Sequence, residues 1–258
     1  MEERKQKEIE HYDKRAESRL ENGKKKKGSF EDFQQSPLSS FKFIYNFLKE
    51  KCENKKVLDY GCGDGIHSVW LADLGAEVKA IDLSEKSLQI AKARVGAGNA
   101  EFLKMDCEAL NFPGSSFDII FDGGTFSSLD FKKVLFELRR VLKPEGFVIG
   151  IETFGHNPFT NLKRKINKIT KKRTKWAVSH IIKDKDLELA KGYFDKIEVY
   201  YFHLISWIAF PFLNLPGGRF LLKSLEKIEG FLLFAFPFLR RYCFKIVFIL
   251  SDPKKRKY

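Results

Sequence analysis

The nine residues VLDYGCGDG, positions 57–65, constrain the fold more than any other stretch of the chain. An apolar run ends in Asp59, and glycines follow at 61, 63 and 65. Glycine adopts positive φ without a Cβ clash, so the backbone can turn sharply and leave a ligand room against the main chain. The run HSVWLADLG comes next and reads as a helix whose first free amides face that turn. AEVKAID then reads as a second strand ending on Asp82. An acid in that place suits a carboxylate gripping the two hydroxyls of a ribose.

The alternation continues. SEKSLQIAKARVG reads as a helix with Ser84 at its N-cap. AEFLKMD and FDIIFDG read as strands, LDFKKVLFELRRVLKPEG as a helix stopped by Pro144 and Gly146, and FVIGIETF as a fifth strand. Ahead of the glycine turn, residues 36–50 carry an apolar helical face at Phe41, Ile44, Tyr45 and Leu48. After position 154 come a basic stretch at 158–175, a helix in KDKDLELAKGYF, a strand in DKIEVYYFHL and a last strand in CFKIVFIL. Strands alternating with helices predict parallel βαβ units, and hence an α/β, doubly wound sheet.

The dinucleotide fingerprint GxGxxG fails, because the third glycine stands at 65 and not at 66. The pattern DxGxGxG instead resembles the class I S-adenosylmethionine-dependent methyltransferases. MDCEALNFPGSSFDIIFDG at 105–123 and VLKPEGFVIGIE at 141–152 are similar to further segments of that family, in its type 11-like subgroup. The resemblance implies a mostly parallel seven-stranded Rossmann-like sheet whose last strand is antiparallel. It also implies S-adenosyl-L-methionine as cofactor. Gly61, Gly63 and Gly65 would pass beneath it, with Asp59 facing the methionine amine and Asp82 the ribose. Leu83 would pack against adenine, Asp106 would accept from its amino group beside Cys107, and Asp122 and Gly123 would meet the methionine end. EHYDKRAE at 10–17 resembles the family's N-terminal helical lid, with Tyr12 over the cofactor or substrate. The division expected is a lid at 1–50, a core at 51–203, an apolar helical insert at 204–241, and a last strand with a basic tail at 242–258.

Methyl transfer depends chiefly on positioning, and a general base is needed only where the acceptor loses a proton. Many relatives have a histidine pair shortly after the fourth strand; here GGTFSSLD places Ser127 and Ser128 there. His156, just after the fifth strand, is the candidate base, and His67 reads as a packing residue.

The net charge is +13, with basic runs at Lys24–Lys27, 163–175 and Lys254–Lys257. Such runs favour polyanions, whether lipid head groups or nucleic acid. The four cysteines show neither CxxC nor metal spacing, and the charged start MEERKQKEIEH is unlike a signal peptide, so the expectation is a cytoplasmic protein. LISWIAFPFLNLPGG at 204–218 carries no charge, yet its prolines make it too short to span a bilayer. It predicts either a cap over the substrate end of the sheet or a face lying in a membrane interface. In FLLKSLEKIEG, Phe220, Leu221, Leu225 and Ile228 form an apolar side against Lys223, Glu226 and Lys227. These features point to a methyltransferase for a small, hydrophobic or membrane-derived acceptor, peripherally bound to an anionic membrane surface. An RNA methyltransferase using 158–175 and a non-catalytic cofactor-binding scaffold are the alternatives.

Overall fold

The computed structural model describes residues 2–21, 38–95, 99–158, 161–162 and 174–255. Helix α1 (Glu3–Glu21) and α2 (Ser39–Leu48) precede strand β1 (Lys56–Tyr60). Then follow α3 (Ile66–Asp73), β2 (Glu77–Asp82), α4 (Glu85–Val95), β3 (Ala100–Lys104) and β4 (Phe117–Asp122). Next are α5 (Phe131–Val141), β5 (Leu142–Thr153), α6 (Lys175–Ser179), α7 (Asp184–Ala190) and β6 (Phe194–Phe202). Two 3-10 segments, Ser206–Phe212 and Pro237–Tyr242, flank α8 (Gly218–Ala235), and β7 (Lys245–Pro253) is last.

The strands form one seven-stranded sheet in the order β3-β2-β1-β4-β5-β7-β6. β1 to β5 run parallel, and β7 is antiparallel to both β5 and β6. The doubly wound sheet with an antiparallel last strand is the expected one. β1 leads outward to β2 and β3, and the chain then crosses back to lay β4 on the other side of β1. This reversal opens a crevice at the carboxyl ends of β1 and β4, where ligands bind in such sheets.

Each face of the sheet has its own core. On one face Ile44 and Leu48 of α2, Trp70 and Leu71 of α3, and Leu88 and Ala91 of α4 are buried against strand residues such as Val57 and Ile149. On the other, Val134, Leu135, Leu138 and Val141 of α5 cover Leu58, Ile120 and Val148. Ser84 caps α4 as expected, its Oγ accepting from Ser87 N at 3.1 Å. α5 starts on Asp130, whose carboxylate accepts from Lys132 N and Lys133 N, and ends at Val141, before Pro144 disfavours helical backbone.

Of the two arrangements open for the segment between β6 and β7, a cap that buries its own apolar faces or an apolar face turned outward, α8 has the second. Leu222 and Glu229 are the side chains that α8 buries, while Phe220, Leu221 and Ile228 face outward. The cause is a polar anchor. Glu229 accepts from His203 N, Ile205 N and Ser206 N at 3.0–3.2 Å, while the His203 ring meets Ser40 Oγ and Ser206 Oγ, each at 2.9 Å. These amides have no other means of burial, so the carboxylate turns the helix by its polar side. The basic runs at Lys24–Lys27 and 163–173, and the last three residues, lie outside the described residues. No described helix is long and apolar enough to cross a membrane.

Candidate cofactor and acceptor site

The glycine turn opens directly from β1. Gly61, Gly63 and Gly65 have φ of 73°, 53° and 74°. A Cβ at Gly61 would overlap the Thr125 side chain, and one at Gly65 would press on Ala91 of α4. At Gly63 a Cβ would meet nothing within 4 Å, so this glycine borders open space. Gly65 is also the N-cap of α3, whose first-turn amides follow the turn.

Carboxylates ring this turn. Asp59 is 1% exposed, and Ser68 Oγ donates to its Oδ2 at 2.6 Å. Burial lifts the Asp59 carboxyl to about 7, against the Ser68 hydrogen bond that lowers it, with the Asp82 charge adding to the rise. Asp82 Oδ2 accepts from Gly63 N at 2.9 Å and Oδ1 from Ser84 N at 2.8 Å. Burial raises its pKa and these backbone donors oppose the rise. Asp122, fully buried at the end of β4, accepts from Thr125 N at 2.8 Å and is also pushed up by burial, then by the Glu152 charge. Asp59 Oδ1, Asp122 Oδ2 and Ser127 Oγ are buried without a hydrogen-bond partner among the described residues. Buried carboxylate oxygens left unpaired are costly. Together with open space above Gly63, they fit a cationic ligand such as a sulfonium bearing an ammonium group.

The other residues expected here gather at the same edge. Leu83 follows Asp82 and is half-buried. Asp106 Oδ1 accepts from Glu108 N at 2.8 Å, and its Oδ2 is paired with Lys5 Nζ at 2.6 Å. Cys107 is buried, and its carbonyl accepts from the Tyr60 hydroxyl. A Cβ at Gly123 would lie 2.6 Å from the His67 ring, which burial depresses to about 4. His67 thus packs as a neutral ring beneath Gly123 and edge-on to Phe121.

α1 crosses this edge and touches the loops after β1, β2, β3 and β4. Arg19 pairs with Asp64, Asp13 accepts from Ser84 Oγ at 2.6 Å, Lys5 pairs with Asp106, and Arg4 pairs with Glu108 at 2.6 Å. Arg4 also donates to the Ser128 carbonyl at 2.9 Å, and the Tyr12 hydroxyl lies 3.5 Å from Ser128 Oγ. Arg4, Lys5 and Glu108 were not foreseen. Their partners are about a hundred residues away in the chain, and no local spacing marks them. His156 lies in the loop after β5, where its Nε2 is 3.1 Å from Asp184 Oδ2 and its ring stands edge-on to Phe154. Among the described residues no group of three or more His, Cys, Asp or Glu side chains is placed to hold a metal ion.

A doubly wound seven-stranded sheet with this glycine turn at its switch point is the arrangement expected from the resemblance to class I methyltransferases. Residues 58–150, about a third of the chain, match the type 11 methyltransferase domain. It is 40% identical over 107 residues to a demethylmenaquinone methyltransferase of Lactococcus lactis, a match covering 38% of this chain and 41% of that one. It is 29% identical over 127 residues to a malonyl-[acyl-carrier protein] O-methyltransferase of Ilyobacter polytropus, covering 48% of each. The chain thus spans less than half the length of these curated relatives. In fold it is similar to a geranyl diphosphate C-methyltransferase of Streptomyces coelicolor, with TM-score 0.57 and 16% identity, covering 83% of this chain and 79% of that one.

Proposed function

We propose that the protein transfers the methyl group of S-adenosylmethionine to a small, hydrophobic or membrane-derived acceptor. The observation that carries this reading is the pairing of open space above Gly63 with the unpartnered oxygens of Asp59 and Asp122. Bound there, the cofactor supplies an electrophilic methyl group on a positively charged sulfur. The chain's own residues bind and orient. Asp59 and Asp122 offer negative charge to the methionine end, with Gly123 beside them. Asp82 holds the Gly63 amide and has lone pairs left for ribose hydroxyls. Leu83 supplies an apolar wall for adenine, and Asp106 with Cys107 borders its polar edge. α1 acts as the lid that excludes water, because its ion pairs and hydrogen bonds reach all four loops around the crevice.

Tyr12 and Ser128 are the polar groups on the acceptor side, where many relatives have histidines. His156 serves as a base only if its pair with Asp184 opens towards the crevice. A hydrophobic acceptor suits the name of one matched relative, a demethylmenaquinone methyltransferase. The test is a labelled-methyl assay of the full chain against lipid, small-molecule and RNA fractions. Label entering the lipid or small-molecule fraction is the expected result. Label entering only RNA, or none entering any fraction while calorimetry shows the cofactor bound, overturns it.

A further inference from the structure

Among the described residues, fourteen large apolar side chains are exposed, and eleven of them fall between Ile208 and Tyr242. A monomeric soluble surface seldom gathers so many in one segment. On α8 they are ordered. The 3.6-residue repeat aligns Phe220, Lys223, Lys227, Phe231 and Phe234 in one outward stripe. Phe220, Phe231 and Phe234 are 77%, 68% and 83% exposed, and Phe238 continues the patch at 67%.

Charge is sorted across the same segment. Residues 204–242 carry five cations, Arg219, Lys223, Lys227, Arg240 and Arg241, all exposed. Their only two acids turn inward: Glu226 accepts from Ser39 N at 3.1 Å, and Glu229 is buried against three backbone amides. The segment's outer face therefore offers phenylalanine and positive charge with no exposed carboxylate of its own, although Arg241 lies 3.9 Å from the exposed Asp184 carboxylate. Lysine and arginine stems can lie along apolar surface while their charges reach a head group.

We propose that α8 and the 3-10 turn at Pro237–Tyr242 dock this face onto an anionic phospholipid bilayer. The helix lies in the interface plane, with its phenylalanines among acyl chains and its cations at lipid phosphates. Docking also fixes which side of the enzyme meets the lipid. Asn157 Nδ2 donates to the Tyr242 carbonyl at 2.7 Å, which ties the patch to the loop after β5 at the carboxyl edge of the sheet. A lipophilic acceptor would enter from that side. This last step rests on the methyl-transfer reading above, whereas the docking does not.

The test is flotation of the full chain with vesicles of phosphatidylglycerol in phosphatidylcholine, and with phosphatidylcholine alone. The anionic vesicles should bind about tenfold or more tightly, and salt should weaken them. F231S/F234S should lose about tenfold or more in vesicle affinity. K223Q/K227Q should lose most of the preference for anionic lipid. Because these side chains are exposed, melting temperature and cofactor affinity should stay at wild-type values in both variants. No flotation of the folded wild type at low salt overturns the proposal. So does a dimer in sedimentation that F231S/F234S splits without changing vesicle binding, since a second copy would then cover the face. Vesicle binding without methyl transfer to any lipid would leave the docking standing and remove only the acceptor reading.

Discussion

The carboxylate of Asp82 accepts from the backbone amide of Gly63 at 2.9 Å, so the end of β2 holds the middle of the glycine turn in place. The same carboxylate accepts from Ser84 N and thereby also fixes the start of α4. One side chain thus orders both halves of the crevice before any ligand arrives. Asp82→Ala should lower cofactor affinity by about tenfold or more, because a charge-assisted contact is worth roughly 1.5–3 kcal/mol. Calorimetric titration measures it. The structure adds a second expectation: Gly63 N should lose hydrogen-exchange protection in D82A even without ligand.

Asp59 gives the site a pH dependence. Its carboxyl titrates at about 7 in the folded chain, well above its ordinary value near 4. Folding therefore favours its protonated form. That stabilisation is complete at low pH and is lost as pH rises from about 4 through about 7. A cationic ligand needs the ionised form, so cofactor affinity should climb as pH rises through 7, with proton uptake or release changing accordingly in buffers of different ionisation enthalpy. Asp59→Asn should flatten both trends and bind the cofactor more weakly at pH 8. Chemical denaturation and calorimetry across pH 5–9 check the two halves separately.

The pairs beneath α1 should govern closure. Glu108 is nearly inaccessible and receives Arg4, Lys5 and the amide of Asp130. Arg4→Ala leaves it partly unpaired and should cost about 1–3 kcal/mol. Lys5→Met releases Asp106 and should speed cofactor dissociation while leaving global stability closer to wild type. Stopped-flow release rates compared with melting curves distinguish a lid from a merely structural helix.

Glu229 should hold the lipid-facing segment to the core. Its removal orphans the buried amides of His203 and Ser206 and the partly buried amide of Ile205. Glu229→Ala should cost about 3 kcal/mol or more. Limited proteolysis should then cut near α8 before it cuts the sheet.

The parts of this molecule that could be read from sequence are those where a local backbone requirement selects the residue. Gly61, Gly63 and Gly65 all adopt the positive φ that the turn demands, and Asp82 and Ser84 lie where a strand ends and a helix begins. The succession of strands and helices followed from the alternation of periods, and the antiparallel last strand from the family resemblance. What stayed hidden depends on partners distant in sequence. By spacing alone Phe220, Leu221 and Ile228 suit either a core face or an outward face of α8, and only the contact of Glu229 with the β6 turn shows that they point outward. The salt bridge of Arg4 with Glu108 is likewise invisible until α1 lies across β3 and β4. His156 occupies the expected loop, but Asp184 comes from a helix whose position the sequence did not specify.

The two candidates for acceptor chemistry can be separated. Tyr12 stands on α1 over the loop after β4, with its hydroxyl 3.5 Å from Ser128 Oγ. His156 pairs with Asp184, and burial lowers its pKa while that acid raises it. Tyr12→Phe removes one hydroxyl and leaves the ring that Arg15 overlies. It should reduce kcat by about tenfold or more if the hydroxyl orients the acceptor or carries its proton. Cofactor affinity should change little, because no ion pair of α1 is touched. His156→Asn should alter turnover by less than twofold if the ring only braces α7 through Asp184, and the variant should melt within a few degrees of wild type. A large loss of kcat in H156N, with the chemical step shown to limit turnover and the pH profile shifted, would instead mean that the Asp184 pair opens during catalysis. Single-turnover methyl transfer measured from pH 5.5 to 9 for both variants decides between them. Unchanged rates in both would leave positioning alone as the source of catalysis, as expected for an acceptor that loses no proton.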